Sequence, residues 1–180
     1  MAVPANITTK NLNGTFVMNK QLSDSSTNTL KLQNVGMLVR QAANYSTITV
    51  QLKQYTDDKG VEHLDQTQTS TGGITSHEER YINGELLDAE NNIWGKVQGK
   101  TRYAKVSELD DAFLKEGWSQ DCLDGEVIVG WTQSKSNDWE STLVYGFAEI
   151  NGERRHVRRV VTKKKGKEDK IKLVYDWKST

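Results

Sequence analysis

The chain has 180 residues, enough for one domain (1–180) with a sizeable core, and its 24 lysines and arginines balance 24 acidic side chains. Without net charge the chain has no general attraction for nucleic acid, and its single cysteine, Cys122, excludes an internal disulfide. The opening residues lack the apolar run of a signal peptide and no stretch could span a bilayer, so we expect a cytoplasmic protein.

Short runs of alternating apolar and polar residues recur along most of the chain, and glycine-containing turns separate them. This pattern predicts antiparallel strands joined by tight turns, as in a sandwich or a barrel. The clearest runs are residues 47–55, 126–133, 141–150 and 170–177. We find no repeat of solenoid length, no linker and no second domain.

Two helical segments interrupt the predicted strands. The first covers about residues 22–44 and directly precedes a strand, which is the arrangement expected of a lid over a barrel cavity. The second lies near 107–117, carries an apolar stripe and ends at a glycine. Its role stays open between a cap over a barrel mouth and a dimer contact, so the protein is predicted to be a monomer or a homodimer.

Both ends of the chain resemble the intracellular fatty-acid-binding proteins and, more broadly, the calycin or lipocalin superfamily. The opening strand carries Gly14 and Phe16 in that family's glycine–x–aromatic arrangement. Residues 34–50 resemble its second lid helix running into the next strand, with Arg40 in a matching place, and residues 172–177 resemble its last strand. The resemblance implies a mainly β, single antiparallel up-and-down barrel of about ten strands, roofed by the lid at 22–44.

The positions that bind the ligand in this family are only partly kept. Fatty-acid binders hold a carboxylate with two inward arginines and a tyrosine, and the matching positions here are Phe147, Leu173 and Tyr175. Only the tyrosine remains, so a simple fatty-acid carrier is not expected. The chain also resembles small fungal lipocalin-like proteins.

One hairpin supplies a candidate site. The Asn-Gly pair at 151–152 predicts a two-residue turn, which pairs Tyr145 with Arg158 and Phe147 with His156 on one face of the sheet. Both faces carry arginine, so the pattern leaves the inward face open, and the family resemblance selects this one. A buried arginine is costly unless paired, and an anionic or enolic oxygen on a ligand would be a natural partner.

The predicted ligand-binding residues are therefore Phe16, Arg40, Tyr145, Phe147, His156, Arg158, Leu173 and Tyr175.

A second candidate cluster lies in the hairpin of residues 61–82. If the Gly-Gly pair at 72–73 forms a two-residue turn, His77 and Glu79 lie on the face of Leu64, and the pattern leaves the inward face open. Either face holds a histidine and carboxylates, so acid–base chemistry is one hypothesis. The alternative is a solvated surface of cross-strand charge pairs.

The basic stretch near the carboxyl end is predicted to be a solvated hairpin tip, or else a docking patch for a membrane surface or an acidic protein. Its residues are Lys163, Lys164, Lys165 and Lys167. Three histidines and one cysteine, widely separated, predict no metal site. No phosphate-binding glycine loop occurs, and no cofactor is expected.

Two functions fit these features. The first is an intracellular protein that binds a small hydrophobic molecule, aromatic or polyketide-like because five tryptophans suit a flat ligand. The alternative is a cofactor-independent cyclase or isomerase of a secondary-metabolite pathway. There Arg158 and Tyr175 would stabilise an oxyanion, and His156, or else His77 with Glu79, would move a proton. We interpret the chain first as a binding protein, because it lacks a recognised catalytic motif.

Overall fold

Ten antiparallel strands form one sheet in the computed structural model, which describes residues 1–179. The strands are β1 (Gly14–Met18), β2 (Ile48–Thr56), β3 (Glu62–Ser70), β4 (Thr75–Tyr81), β5 (Leu87–Asn91), β6 (Gly95–Ala104), β7 (Val127–Ser134), β8 (Trp139–Ile150), β9 (Glu153–Lys164) and β10 (Lys167–Ser179). Their order in the sheet is β4-β3-β2-β1-β10-β9-β8-β7-β6-β5. The sheet curls into a nearly closed up-and-down barrel, which confirms the predicted fold.

The lid consists of two short helices, α1 (Thr27–Leu32) and α2 (Met37–Tyr45), where one helical segment over 22–44 was predicted. The break follows from the turn between them, in which Asn34 has a φ of 62° that a helix cannot accommodate. The lid therefore begins later than predicted and contains a bend.

Strand alternation decides which side chains fill the interior. On β2, Ile48, Val50 and Leu52 are buried, while Gln51 and Lys53 between them are exposed. The amino-terminal segment closes the end of the barrel away from the lid, where the amide of Val3 donates to the carbonyl of Arg154 at 2.7 Å. The core thus lies inside the barrel, sealed at one end by the amino terminus.

The predicted insertion near 107–117 forms two 3-10 turns, Val106–Glu108 and Ala112–Lys115, followed by α3 (Gln120–Asp124). It packs against the outer wall of the barrel rather than over a mouth. The amide of Phe147 on β8 donates to Cys122 Sγ at 3.3 Å. Because the insertion covers the outside of β8 and β9, both faces of these strands are buried.

One side of the barrel is not closed by a hydrogen-bonded ladder. The β4 edge meets the β5–β6 hairpin only near its two ends: Asn92 Nδ2 donates to the carbonyl of Thr75 at 2.8 Å, and Ile82 bridges Thr101. We call the gap between these two contacts the side window. It leaves the facing edges of β4 and β5 without a strand partner between the two contacts.

We predict that Gly146→Ala destabilises the fold by about 1–3 kcal/mol, because an added methyl overpacks a filled site. A Cβ at this position would lie 2.8 Å from the ring of Trp118 and 3.2 Å from Cys122 Sγ. Chemical denaturation measures the change. In a Trp118→Leu background, where the ring is gone, the same methyl should cost at most half as much; an equal cost in both backgrounds would refute the explanation.

Candidate functional site

A cavity of about 160 Å³ lies inside the barrel beneath α1. The lid contributes Leu30 and Gln33 to its wall, and the strands contribute Arg158, Leu173 and Tyr175 among others. The space is therefore lined by residues that are far apart in the chain, and three of those named, Gln33, Arg158 and Tyr175, carry polar groups.

The predicted hairpin register is confirmed. Asn151 and Gly152 have φ angles of 54° and 76°, which a two-residue turn of this kind requires. Tyr145 pairs with Arg158, as predicted from the turn, and Phe147 pairs with His156. On the other side of β9, Leu173 pairs with Arg158 and Tyr175 with His156. All of these side chains except Leu173 are buried.

Arg158 is only 3% exposed. The central carbon of its guanidinium lies 4.8 Å from the ring centroid of Tyr145 and 4.7 Å from that of Tyr175, so the cation is flanked by two aromatic rings. Nε donates to His156 Nε2 at 3.2 Å, whereas Nη2 finds no hydrogen-bond partner among residues 1–179. A buried donor without a partner costs free energy, which a ligand oxygen would recover.

His156 lies beneath this arginine and has no exposed surface. Nδ1 is 3.0 Å from the carbonyl of Gly146, which can only accept, so Nδ1 carries the proton and Nε2 accepts from Arg158. Burial, and then the charge of Arg158, hold the pKa of His156 well below its ordinary value. The neutral ring is packed between Phe16 and Phe147, with centroids 5.0 and 5.7 Å away. It orients the arginine and does not line the cavity.

The predicted register of the second hairpin is wrong by one residue. Leu64 pairs with Arg80, so His77 and Glu79 point away from Leu64 and are exposed. The cause is the loop, which has an odd number of residues where a two-residue turn was predicted. The amide of Ser70 donates to the carbonyl of Ile74 at 2.9 Å and so closes this longer loop. A shift of one residue moves every side chain to the other face of a strand.

The inward charged residues of this hairpin are Glu78 and Arg80, which were not among the predicted site residues. Their side chains pair at 3.3 Å, and both line the cavity with Gln66. Burial would lower the pKa of Arg80, but the carboxylate of Glu78 raises it above the ordinary value. Arg80 Nε and Gln66 Oε1 have no hydrogen-bond partner in the described chain. The apolar side chain of Leu64 marks the inward face of this hairpin. It would have identified Glu78 and Arg80 as inward residues if the loop length had been known.

The lid is tied to the barrel by side chains that the sequence pattern did not single out. Gln33 Nε2 donates to Ser141 Oγ at 3.0 Å, and Trp94 Nε1 donates to Gln33 Oε1 at 3.0 Å. One amide thus joins the end of α1 to the wall at β8 and to the β5–β6 turn. Arg40 lies half-buried on α2 and does not line the cavity.

The basic stretch lies at the β9–β10 turn, where part of its charge is paired on the surface. Lys163 lies 3.7 Å from Glu168, and Lys165 lies 3.3 Å from Asp138. A docking role for it stays a prediction. Within residues 1–179, no three His, Cys, Asp or Glu side chains converge as metal ligands would. The same part of the chain contains no helix long and apolar enough to cross a membrane.

We predict that the protein loses stability as the pH falls below about 6.5. The unfolded chain then takes up a proton at His156 that the folded chain refuses, at up to about 1.4 kcal/mol per pH unit. His156→Gln can keep both hydrogen bonds without titrating, so its stability should depend less steeply on pH. Urea unfolding between pH 5 and 8 makes the comparison, in which the other two histidines are common to both proteins; equal slopes would contradict the neutral, buried state.

No protein-family model matches the chain. It is 33% identical over 180 residues to the probable pericyclase scpY of Mollisia scopiformis, covering 98% of this chain and 94% of that protein. It is also 33% identical over 184 residues to the pericyclase pydY of an Acremonium species, covering 98% and 97%.

Solved structures agree with the fold. Lipid binding protein 8 of Caenorhabditis elegans has a TM-score of 0.61 at 14% identity, covering 93% of this chain and 95% of that one. A fatty acid binding protein of Schistosoma mansoni, solved with arachidonic acid, has a TM-score of 0.58 at 12% identity, covering 93% and 96%. At such identities the likeness is one of fold. The chain belongs to the family of these pericyclase relatives, and its barrel has the fold of the fatty-acid-binding proteins.

Proposed function

We propose that the protein is a cofactor-independent cyclase of a secondary-metabolite pathway, which binds a hydrophobic molecule in the barrel and promotes a pericyclic ring closure. The observation that carries this proposal is the buried guanidinium of Arg158, whose Nη2 has no partner within the described residues and which lines the cavity. The names of the two relatives support the reaction class.

A pericyclic closure needs little from the protein in chemical groups. New σ bonds form at the expense of π bonds in one cyclic step, and no proton, electron pair or leaving group passes to the enzyme. The barrier falls when the chain of the substrate is held with its reacting ends together, which a cavity inside the barrel can do. It falls further when electron density is drawn from a carbonyl conjugated to one reacting alkene.

Arg158 is placed to draw that density. Its Nε is held by His156 and its planar group is flanked by Tyr145 and Tyr175, so the remaining N–H donors have a fixed direction before any ligand arrives. A donor fixed in a site with little water stabilises developing negative charge without reorganising. The substrate oxygen that fits is a carbonyl or an enolate.

His156 acts here as a positioning residue and not as a proton carrier. Both ring nitrogens are engaged, by the carbonyl of Gly146 and by Arg158 Nε, and the ring is fully buried. A reaction that transfers no proton is compatible with a histidine held neutral in this way.

A binding protein without catalysis is the second candidate, which the lid and the cavity under it favour. Such a protein would return its hydrophobic ligand unchanged. Turnover distinguishes the two functions, and the substrate for the assay is the linear precursor that accumulates when the gene is deleted in its source organism.

We predict that Arg158→Leu lowers kcat on this precursor by about 10²–10³-fold, the loss typical of removing one oxyanion-stabilising donor. The measurement is product formation followed by liquid chromatography and mass spectrometry. Arg102→Leu is the matched control, because Arg102 lies on the outside of β6 and is exposed; it should leave kcat unchanged.

The same two variants also test binding. Arg158→Leu should weaken the binding of an anionic dye such as anilinonaphthalene sulfonate more than the binding of the neutral dye Nile red. If wild-type protein binds the precursor but returns it unchanged, the binding protein is the correct function. If Arg158→Leu turns over as fast as the wild type, the role assigned to this arginine is wrong.

A further inference from the structure

A groove of about 420 Å³ lies outside the cavity, along the side window between β4 and the β5–β6 hairpin. Four residues line both spaces: Glu78, Arg80, Trp94 and Thr132. One set of side chains therefore forms the partition between the inner cavity and the outer groove at the side window.

The side window is bounded by a contact at each of its two ends. Its ends are held by the contact of Asn92 with Thr75 and by the bridge of Ile82 to Thr101. These contacts are separated by seven residues along β4, which is roughly 23 Å at the usual rise of a strand. Between these contacts the wall is closed by side chains and not by a backbone ladder, while the barrel stays joined above and below.

The cavity is small for the function proposed above. At about 160 Å³ it falls below the roughly 300–1,000 Å³ that is typical of small-molecule sites. The groove of about 420 Å³ would bring the combined site within that range. A substrate that occupies both spaces would be elongated, with one end at the interior arginines.

Charge differs between the two ends of this path. Inside, the two guanidinium groups of Arg80 and Arg158 face the single carboxylate of Glu78. Outside, the groove is lined by Glu79, Glu85, Asp88 and Glu90 against Lys100 and the shared Glu78–Arg80 pair. The interior favours a negative or electron-rich oxygen, and the groove disfavours a second negative charge.

The structure therefore assigns a substrate class, and this rests on the proposed function. We infer that the substrate is an elongated hydrophobic molecule with an oxygen-bearing head at Arg158 and a tail that leaves through the side window. The distal end of the tail is uncharged or basic, because it lies along the acidic groove.

The test uses four acids of known length and charge, measured by isothermal titration calorimetry. Naphthoic acid is the compact probe; dodecanoic, 12-aminododecanoic and dodecanedioic acids are long probes with a neutral, a basic and an acidic end. Wild-type protein should bind dodecanedioic acid at least tenfold more weakly than the other two long acids.

Two variants probe the groove itself. Ala89→Trp fills the groove from β5, which is an exposed strand. It should weaken the binding of dodecanoic acid at least tenfold and change the affinity for naphthoic acid less than twofold. Ala112→Trp, at an exposed position of the insertion, is the steric control and should change neither. The double variant Glu79→Gln, Asp88→Asn should lower the ratio of the dissociation constants of dodecanedioic and dodecanoic acid at least threefold. Asp110→Asn should leave this ratio unchanged.

The outcomes separate this inference from the proposed function. If Ala89→Trp leaves dodecanoic acid unaffected, or weakens both probes equally, the tail does not use the window and the inference fails. If dodecanedioic acid binds as well as dodecanoic acid, the charge assignment fails. If Arg158→Leu leaves the affinity for naphthoic acid unchanged, the oxygen-bearing head does not bind at Arg158, and the proposed function fails as well.

Discussion

The hydrogen bond from Arg158 Nε to His156 Nε2 is the contact on which the site depends. It places a cation in the barrel without any carboxylate within ion-pair distance in the described chain, and the surroundings compensate in other ways. The rings of Tyr145 and Tyr175 face the guanidinium, and the imidazole stays neutral because the carbonyl of Gly146 fixes its tautomer. Arg158 Nη2 remains without a hydrogen-bond partner in the described chain, and Arg158 lines the cavity together with the ion-paired Arg80.

This arrangement links the inside of the barrel to its outer wall through Gly146. Its carbonyl accepts from His156 on the inner side, and its missing side chain leaves room for the ring of Trp118 on the outer side. The insertion thus acts as a brace behind the site. Rigidity at this point matters because a donor that reorganises gives up much of its advantage in stabilising developing charge.

The opposite side of the barrel is built differently, with closure by side chains in place of a backbone ladder. Tyr103 Oη donates to Glu62 Oε1 at 2.6 Å across the gap near the amino-terminal plug, and Asn92 holds the other end near the lid. Between Asn92 and the bridge of Ile82 to Thr101, no backbone ladder joins the two edges. The molecule therefore has one wall that is braced from outside and carries Arg158, and an opposite wall that contains the side window and carries Arg80.

Local signals in the sequence determined the antiparallel strands and the register of one hairpin of the site, and the resemblance of the two chain ends implied the barrel. An Asn-Gly turn at 151–152 has one favourable geometry, so the pairing of Arg158 with Tyr145 followed from the residues themselves. The loop at 70–74 has no such single solution, and its odd length, set by backbone contacts, decided that Glu78 and Arg80 face inward. The neutrality of His156, the cover over β8 and β9, and the window arise from contacts between distant segments, which only the tertiary structure brings together.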